Sequence, residues 1–260
     1  MRDTGRETGA TIGGETGTAL AERLTQAERE QTWANQRPRD AATLIVIDGS
    51  GRVPRLLMGR RHDGHKFMPG KFVFPGGRIE PGDRRMVAAG MLDDRTDAAL
   101  SARVTRPSSG RNRALALAAI RETWEETGLM LGSKDYGPPD LEIEGSWADF
   151  VREGVYPELD ALRFIARAIT PPRRPKRFDT RFFAVDRAAI CHEVEGVVGE
   201  SSELVELVWV SLDEARRLDL PTVTTVVLDE LAARVQAGFS PMLPVPYYHM
   251  VRGVFVREEV

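Results

Sequence analysis

Arg121, Glu122, Glu125 and Glu126 stand together in the stretch AAIRETWEETGLML. Residues three and four apart share one face of a helix, so the three glutamates project together. Carboxylates at that spacing repel one another unless a cation sits among them. A hard divalent ion relieves the repulsion. Mg²⁺ takes carboxylate oxygens, keeps several waters and is commonly shared with substrate phosphates. The competing reading is a solvated acidic helix face, with Arg121 paired to Glu125. An upstream stretch, FPGGRIEPGD (74–83), shifts the balance toward chemistry. It reads as a strand entering a tight glycine turn, with Glu80 and Asp83 close behind. Glycines let a backbone approach a ligand and expose its N–H and C=O groups. Either stretch alone is a weak signal. The two in this order are a strong one.

Several elements must position these groups. ATLIVID (42–48) and RLLMGRR (55–61), separated by Gly49, Ser50 and Gly51, predict a hairpin. KFVFPGG (71–77) predicts a third strand ending in a turn. Residues 113–127 predict a helix with Gly128 just past its end. DAALSARV (97–104) predicts a short helix, 132–146 a polar loop, and WADFVREG (147–154) another helix. LRFIARAIT (162–170), TRFFAV (180–185) and LVELVWVSL (204–212) predict strands. A helix is expected to begin at Asp213, and residues 221–238 to form an amphipathic one. The tail from residue 241 is apolar and proline-rich and is expected to pack on the domain. Strands and helices do not alternate regularly, so the fold class is mixed α/β, or α+β. Residues 1–38 are expected to be an N-terminal extension, disordered at first and then one helix with Leu20, Leu24 and Ala27 on a face. Residues 39–260 form the domain.

Composition narrows the function. The 260 residues are 42% hydrophobic and 29% charged, with 36 basic and 39 acidic side chains and a formal charge of −3. That balance argues against a general nucleic-acid or membrane binder. The single cysteine, Cys191, excludes an intramolecular disulfide framework and makes a cytoplasmic location the default. No apolar run is long enough for a membrane span, and the N-terminal residues lack the apolar core of a secretory signal. The four histidines, His62, His65, His192 and His249, have no metal-ligand spacing.

The two charged stretches resemble the Nudix box, G-x5-E-x7-R-E-U-x-E-E-x-G-U, where U is a bulky apolar residue. Gly77, five residues and Asp83 match the first half, with Asp in place of Glu. Arg121 to Leu129 match the second, with Thr123 at an apolar position. Residues 84–120 stand where the pattern has seven, an insertion of about 30 residues that falls at 84–112. A branch of the Nudix family that includes peroxisomal coenzyme A diphosphatases carries such an insertion. Its members are also similar in LLMGRRHDGHKFMPGKFVFPGG (56–77) and KRFDTRFFAV (176–185). The coenzyme A signature of related enzymes has an Arg where this chain has His65 and Lys66.

The resemblance implies a Nudix-type α/β/α sandwich with a mixed β-sheet. It implies hydrolysis of a nucleoside diphosphate linked to another group, by water attacking phosphorus, with Mg²⁺ or Mn²⁺ as cofactor. Coenzyme A or an acyl-coenzyme A is one expected substrate; ADP-ribose, NADH or another nucleotide is the alternative. A non-catalytic nucleotide-binding module is the rival function. By the same resemblance, Glu125 and Glu126 are metal ligands and Glu122 is a third ligand or the base that orients water. The carbonyl of Gly76 or Gly77 is a further ligand. Arg121 pairs with Asp83 or a box glutamate. Glu200 and Glu203 are candidates for an additional carboxylate from a later loop. Arg60, Arg78, Arg177 and Arg181 are candidates to receive phosphate charge. Phe67, Phe72 and Phe74 read as core before they read as a base-stacking platform. A homodimer with its pocket between subunits, built from the insertion and the tail, is a further reading.

Overall fold

A computed structural model describes residues 11–12, 15–27, 32–65, 68–240 and 242–260. Most of the expected disordered stretch, residues 28–31 of the expected N-terminal helix, and Lys66 and Phe67 lie outside the described residues. In chain order the elements are β1 (Thr11–Ile12), β2 (Glu15–Thr16), α1 (Gly17–Ala27), β3 (Arg39–Asp48), β4 (Arg55–Arg61), β5 (Phe72–Val73) and β6 (Gly76–Arg78). Then come α2 (Pro81–Arg85), α3 (Asp94–Ser101), α4 (Ser109–Thr127), β7 (Leu129–Leu131), α5 (Trp147–Glu153), β8 (Arg163–Ile169) and β9 (Phe178–Asp186). The chain closes with β10 (Ile190–Glu193), β11 (Leu204–Ser211), α6 (Leu212–Ala215), α7 (Thr222–Gln236), β12 (Pro246–Val251) and β13 (Val254–Glu259).

The main sheet runs β11-β4-β3-β9-β8-β12-β13. β3 is parallel to β9 and β12 to β8, and the other pairs are antiparallel, so the sheet is mixed. Both its faces are covered. Alternate residues of a strand point to opposite sides. Ala42, Leu44 and Val46 of β3 therefore meet α4, while Ile45 and Ile47 meet α7 and α1. Burial on both faces explains why β3 reads as one continuous apolar run. The result is the α/β/α sandwich.

β3 and β4 pair at only two positions, Ile47 with Leu56 and Asp48 with Arg55. Beyond them the strands diverge. β5 takes the free edge of β4 and β6 the free edge of β3. The expected third strand is therefore two short ones, with Phe74 and Pro75 between them. Leu44 N–H donates to the Pro75 carbonyl at 3.0 Å, which fixes the glycine turn against the sheet.

α4 holds together for local reasons. Its middle, Ala114 to Ile120, is wholly buried. Gly128 ends it in the left-handed conformation at φ 74°, and a Cβ there would lie 2.3 Å from the Val194 carbonyl. The insertion contains the end of α2, all of α3 and the first turn of α4. α3 begins at Asp94, earlier than expected, because the Asp93 side chain accepts from the N–H groups of Arg95 and Thr96. The tail, expected only to pack, forms the β12–β13 hairpin at the sheet edge. α1 docks on the same core through Leu20, Ala21 and Leu24. Among the described residues no helix is long and apolar enough to cross a membrane.

Candidate active site

Arg121 is the hub of the site and is 2% exposed. Its Nε and Nη2 donate to the Asp83 carboxylate at 2.8 and 3.2 Å. Nη2 also donates to the Arg78 carbonyl at 2.8 Å, and Nη1 to the Glu125 carboxylate at 3.0 and 3.1 Å. Nη1 lies 3.0 Å from Glu122 Oε1 as well. Burial alone would lower the Arg121 pKa, but the Asp83 hydrogen bond and the charges of Glu122 and Asp83 outweigh it, so this guanidinium stays protonated. Asp83 is wholly buried and accepts two further bonds, from Trp147 Nε1 at 2.8 Å and from the Glu80 N–H at 2.7 Å. The shorter Asp side chain thus reaches Arg121, because α2 brings its backbone close. One arginine ties the turn, α2 and α4 into a single unit.

The glycine turn lies directly against the glutamates. A Cβ on Gly77 would fall 2.3 Å from the Glu122 carboxyl carbon. Gly76 N–H donates to Glu126 Oε2 at 3.2 Å. Burial raises the Glu122 pKa to about 7, with the Glu125 and Glu203 charges adding to the rise against the pull of Arg121. Burial, then Glu203 and Glu122, push Glu126 well above the carboxylate range. Glu126 is 7% exposed.

Glu122 and Glu126 open onto a cleft of about 560 Å³. Glu203, Gly76, Gly77, Arg61 and Arg78 line the same wall region. Arg174 and Lys176 come from the loop between β8 and β9, and the remainder is largely apolar, including Phe74, Phe178, Phe182 and Phe255. A larger cavity of about 790 Å³ lies by α3 and the C-terminal segment. It contains no box residue, whereas the smaller cleft contains Gly77, Glu122 and Glu126.

Several expected residues sit elsewhere. Arg60 does not line the cleft; it pairs with Glu206 and Asp63 on the exposed side of β4. Its neighbour Arg61 faces the cleft and pairs with Glu203 at 2.8 Å. Strand alternation places the two on opposite faces, and sequence alone does not say which face is the cleft. Arg177 donates to the Thr170 and Gln36 carbonyls and to Asn35. Arg181 is wholly buried and does not reach the cleft. Glu200 lies exposed outside the cleft, whereas Glu203 lines it. Phe72 and Phe74 pack in the core layer beneath α7. Cys191 is half-buried, and burial raises its thiol pKa.

Among the described residues, no three of His, Cys, Asp and Glu already converge as a chelate, and Glu125 is turned to Arg121. The donor set still suits a hard dication. It offers carboxylate oxygens whose charges repel one another in a buried place and a backbone turn within contact of them. An added cation would offset the mutual repulsion of Glu122, Glu126 and Glu203.

No protein-family model matches this sequence. The fold is similar to that of a Nudix hydrolase from Alicyclobacillus acidocaldarius, with 29% identity over 76% of this chain and 92% of that one and a TM-score of 0.55. It is more distantly similar to the Nudix domain of Shewanella oneidensis NrtR, solved with ADP-ribose, with 10% identity over 77% and 90% of the two chains and a TM-score of 0.44. The first of these likenesses, over most of both chains, is to a Nudix hydrolase, and the fold and the reassembled box agree with it.

Proposed function

We propose that the protein is a Mg²⁺- or Mn²⁺-dependent diphosphatase that cleaves the diphosphate linkage of a nucleoside diphosphate joined to another group. The observation that carries the reading is the convergence of Glu122, Glu126 and Glu203 on one cleft beside the Gly76–Gly77 turn. Glu122, Glu125, Glu126 and the Gly77 carbonyl are the groups proposed to hold metal. Glu125 would have to turn from Arg121 to join them. When bound, a divalent ion neutralises phosphate charge and makes water a better nucleophile.

The chain's own residues do the rest. Glu203 and Glu122 are the two candidates to take the proton of the attacking water, and both line the cleft. Arg61 holds Glu203 in place by its ion pair. Arg78, Arg174 and Lys176 line the cleft beyond the carboxylates and supply positive charge for the phosphates. Arg121 touches no substrate in this account. It positions Glu122 and Glu125.

For the substrate, the similarity of residues 56–77 and 176–185 to the insertion-bearing branch favours coenzyme A or an acyl-coenzyme A. ADP-ribose and NADH are the alternatives. The test is a hydrolysis panel of these compounds with Mg²⁺ and then Mn²⁺, read by product mass. A 4′-phosphopantetheine product would support the coenzyme A assignment. Turnover confined to ADP-ribose or NADH would move the substrate and keep the reaction. Failure to cleave any diphosphate with either metal would overturn the reading.

A further inference from the structure

A second charged cluster lies at the opposite end of α4. Arg111 on α4, Arg167 on β8 and Arg181 on β9 surround Asp40 and Asp179. Arg167 grips Asp179 with its Nε and Nη2, each at 2.8 Å. Arg111 grips Asp40 with the same two-pronged edge, Nε at 2.8 Å. Arg181 makes all its bonds through Nη1 alone, to Asp40 Oδ1 at 3.1 Å and to the Asp179 carbonyl at 2.6 Å, with Asp179 Oδ1 also 3.1 Å away. Its Nε and Nη2, the edge the other two use to hold a carboxylate, have no partner, and Arg181 is 0% exposed. Arg111 Nη1 is unpartnered as well.

The charges do not balance. Asp179 and Asp40 attract Arg181, while Arg167 and Arg111 repel it. Three guanidinium groups face two carboxylates. Burial, with those like charges, pulls the Arg181 pKa down to about 10, which still leaves it protonated at neutral pH. The cluster lies near the positive end of the α4 dipole, whose first turn carries no acidic residue of its own, while the Asp97 carboxylate of α3 accepts there from the Ser109 hydroxyl and the Asn112 amide. A buried two-donor edge and an uncompensated positive charge call for an anionic partner.

We infer that the open edge of Arg181 binds a small anion of halide size, carrying the missing negative charge. Complete burial of the arginine favours a small ion over a phosphate ester or a peptide carboxylate. The position is separate from the cleft. Arg111 and Glu122 are 11 positions apart on one helix, roughly 16 Å along its axis. The bound ion would join the start of the catalytic helix to β8 and β9. Arg167 Nη1 also donates to the Ala102 carbonyl just after α3, so the insertion is tied to the same cluster.

The test is thermal unfolding of the metal-free full-length protein as chloride replaces gluconate at constant ionic strength. Gluconate is too large to be buried in this position. Wild-type Tm should rise saturably, by about 4 °C at tenfold excess over the dissociation constant. Arg181→Met should not respond. A wild-type Tm indifferent to chloride, or an equal response in Arg181→Met, overturns the inference. If Arg181→Met does not fold, crystals of the wild type grown in bromide decide it. An anomalous scatterer within hydrogen-bond distance of Arg181 Nε and Nη2 is expected, and a water there contradicts it.

Discussion

Arg121 and Asp83 are 38 residues apart in sequence and joined by a two-pronged ion pair in the protein interior. The pair spans the insertion. It restores between the two halves of the box the contact that a short loop would otherwise supply. A loop of this length costs little closure entropy, so one buried ion pair with its supporting bonds can offset it. The same arginine reaches Glu122 and Glu125, so the contact that closes the loop also orders the acidic face.

Removing Asp83 should therefore damage the fold before the chemistry. Asp83→Ala leaves the Arg121 guanidinium buried without its main partner and strands Trp147 Nε1. The expected cost is about 3–5 kcal/mol, read by urea unfolding. A loss below about 1 kcal/mol would mean that the pair does not hold the halves together.

The two turn glycines should separate stability from activity. A Cβ on Gly76 meets the Ala42 carbonyl at 2.5 Å and the Thr43 backbone at 2.7 Å, so Gly76→Ala should lower Tm markedly. The nearest atoms to a Cβ on Gly77 are those of the Glu122 carboxylate, the movable end of a side chain. Gly77→Ala should keep Tm close to wild type and reduce kcat about tenfold or more by displacing that carboxylate. Equal Tm losses in the two variants would argue against the contact.

Metal-free protein should become less stable as pH rises. Folding raises the Glu122 pKa from 4.5 to about 7, and the Glu126 pKa rises too. The folded state then holds more protons than the unfolded state between those values, so stability is present at low pH and falls through that window. For Glu122 alone the loss approaches about 3 kcal/mol. Mn²⁺ should restore Tm at pH 8 far more than at pH 5. Melting curves with and without metal at the two pH values check this, and a metal effect independent of pH would count against carboxylate ligation.

Glu203 and Arg61 should differ in kind. If Glu203 takes the proton, Glu203→Gln lowers kcat about 10²-fold. Arg61→Gln frees Glu203 without removing it, so it should lower kcat less. A Glu203→Gln variant that keeps a kcat close to wild type would leave Glu122 as the base.

The parts of the fold legible in the sequence are those where one cause acts alone. β3 is buried on both faces, and α4 has an Ala/Leu core with Gly128 after it. Both can be read from periodicity and punctuation. The β12–β13 hairpin was hidden because Pro244 and Pro246 argue against a strand, while Pro246 in fact opens β12 at its first residue. In the site, the charged spacing of α4 fixed the shared face of its glutamates. It could not say that Arg61 faces the cleft and Arg60 does not, nor that Arg181 is sealed beneath the start of α4. Those facts depend on which side of the sheet the glycine turn covers, and that is settled only when β5 and β6 take the free strand edges.

The most direct test of the account compares wild type with Glu126→Gln on a cleaved substrate, with Mn²⁺ binding measured by calorimetry on the same samples. Glu126 is buried beside the glycine turn and bonded to Gly76, so the change should weaken Mn²⁺ binding and lower turnover about 10³-fold while the protein stays folded. A folded Glu126→Gln that binds Mn²⁺ normally and turns over at the wild-type rate would contradict it.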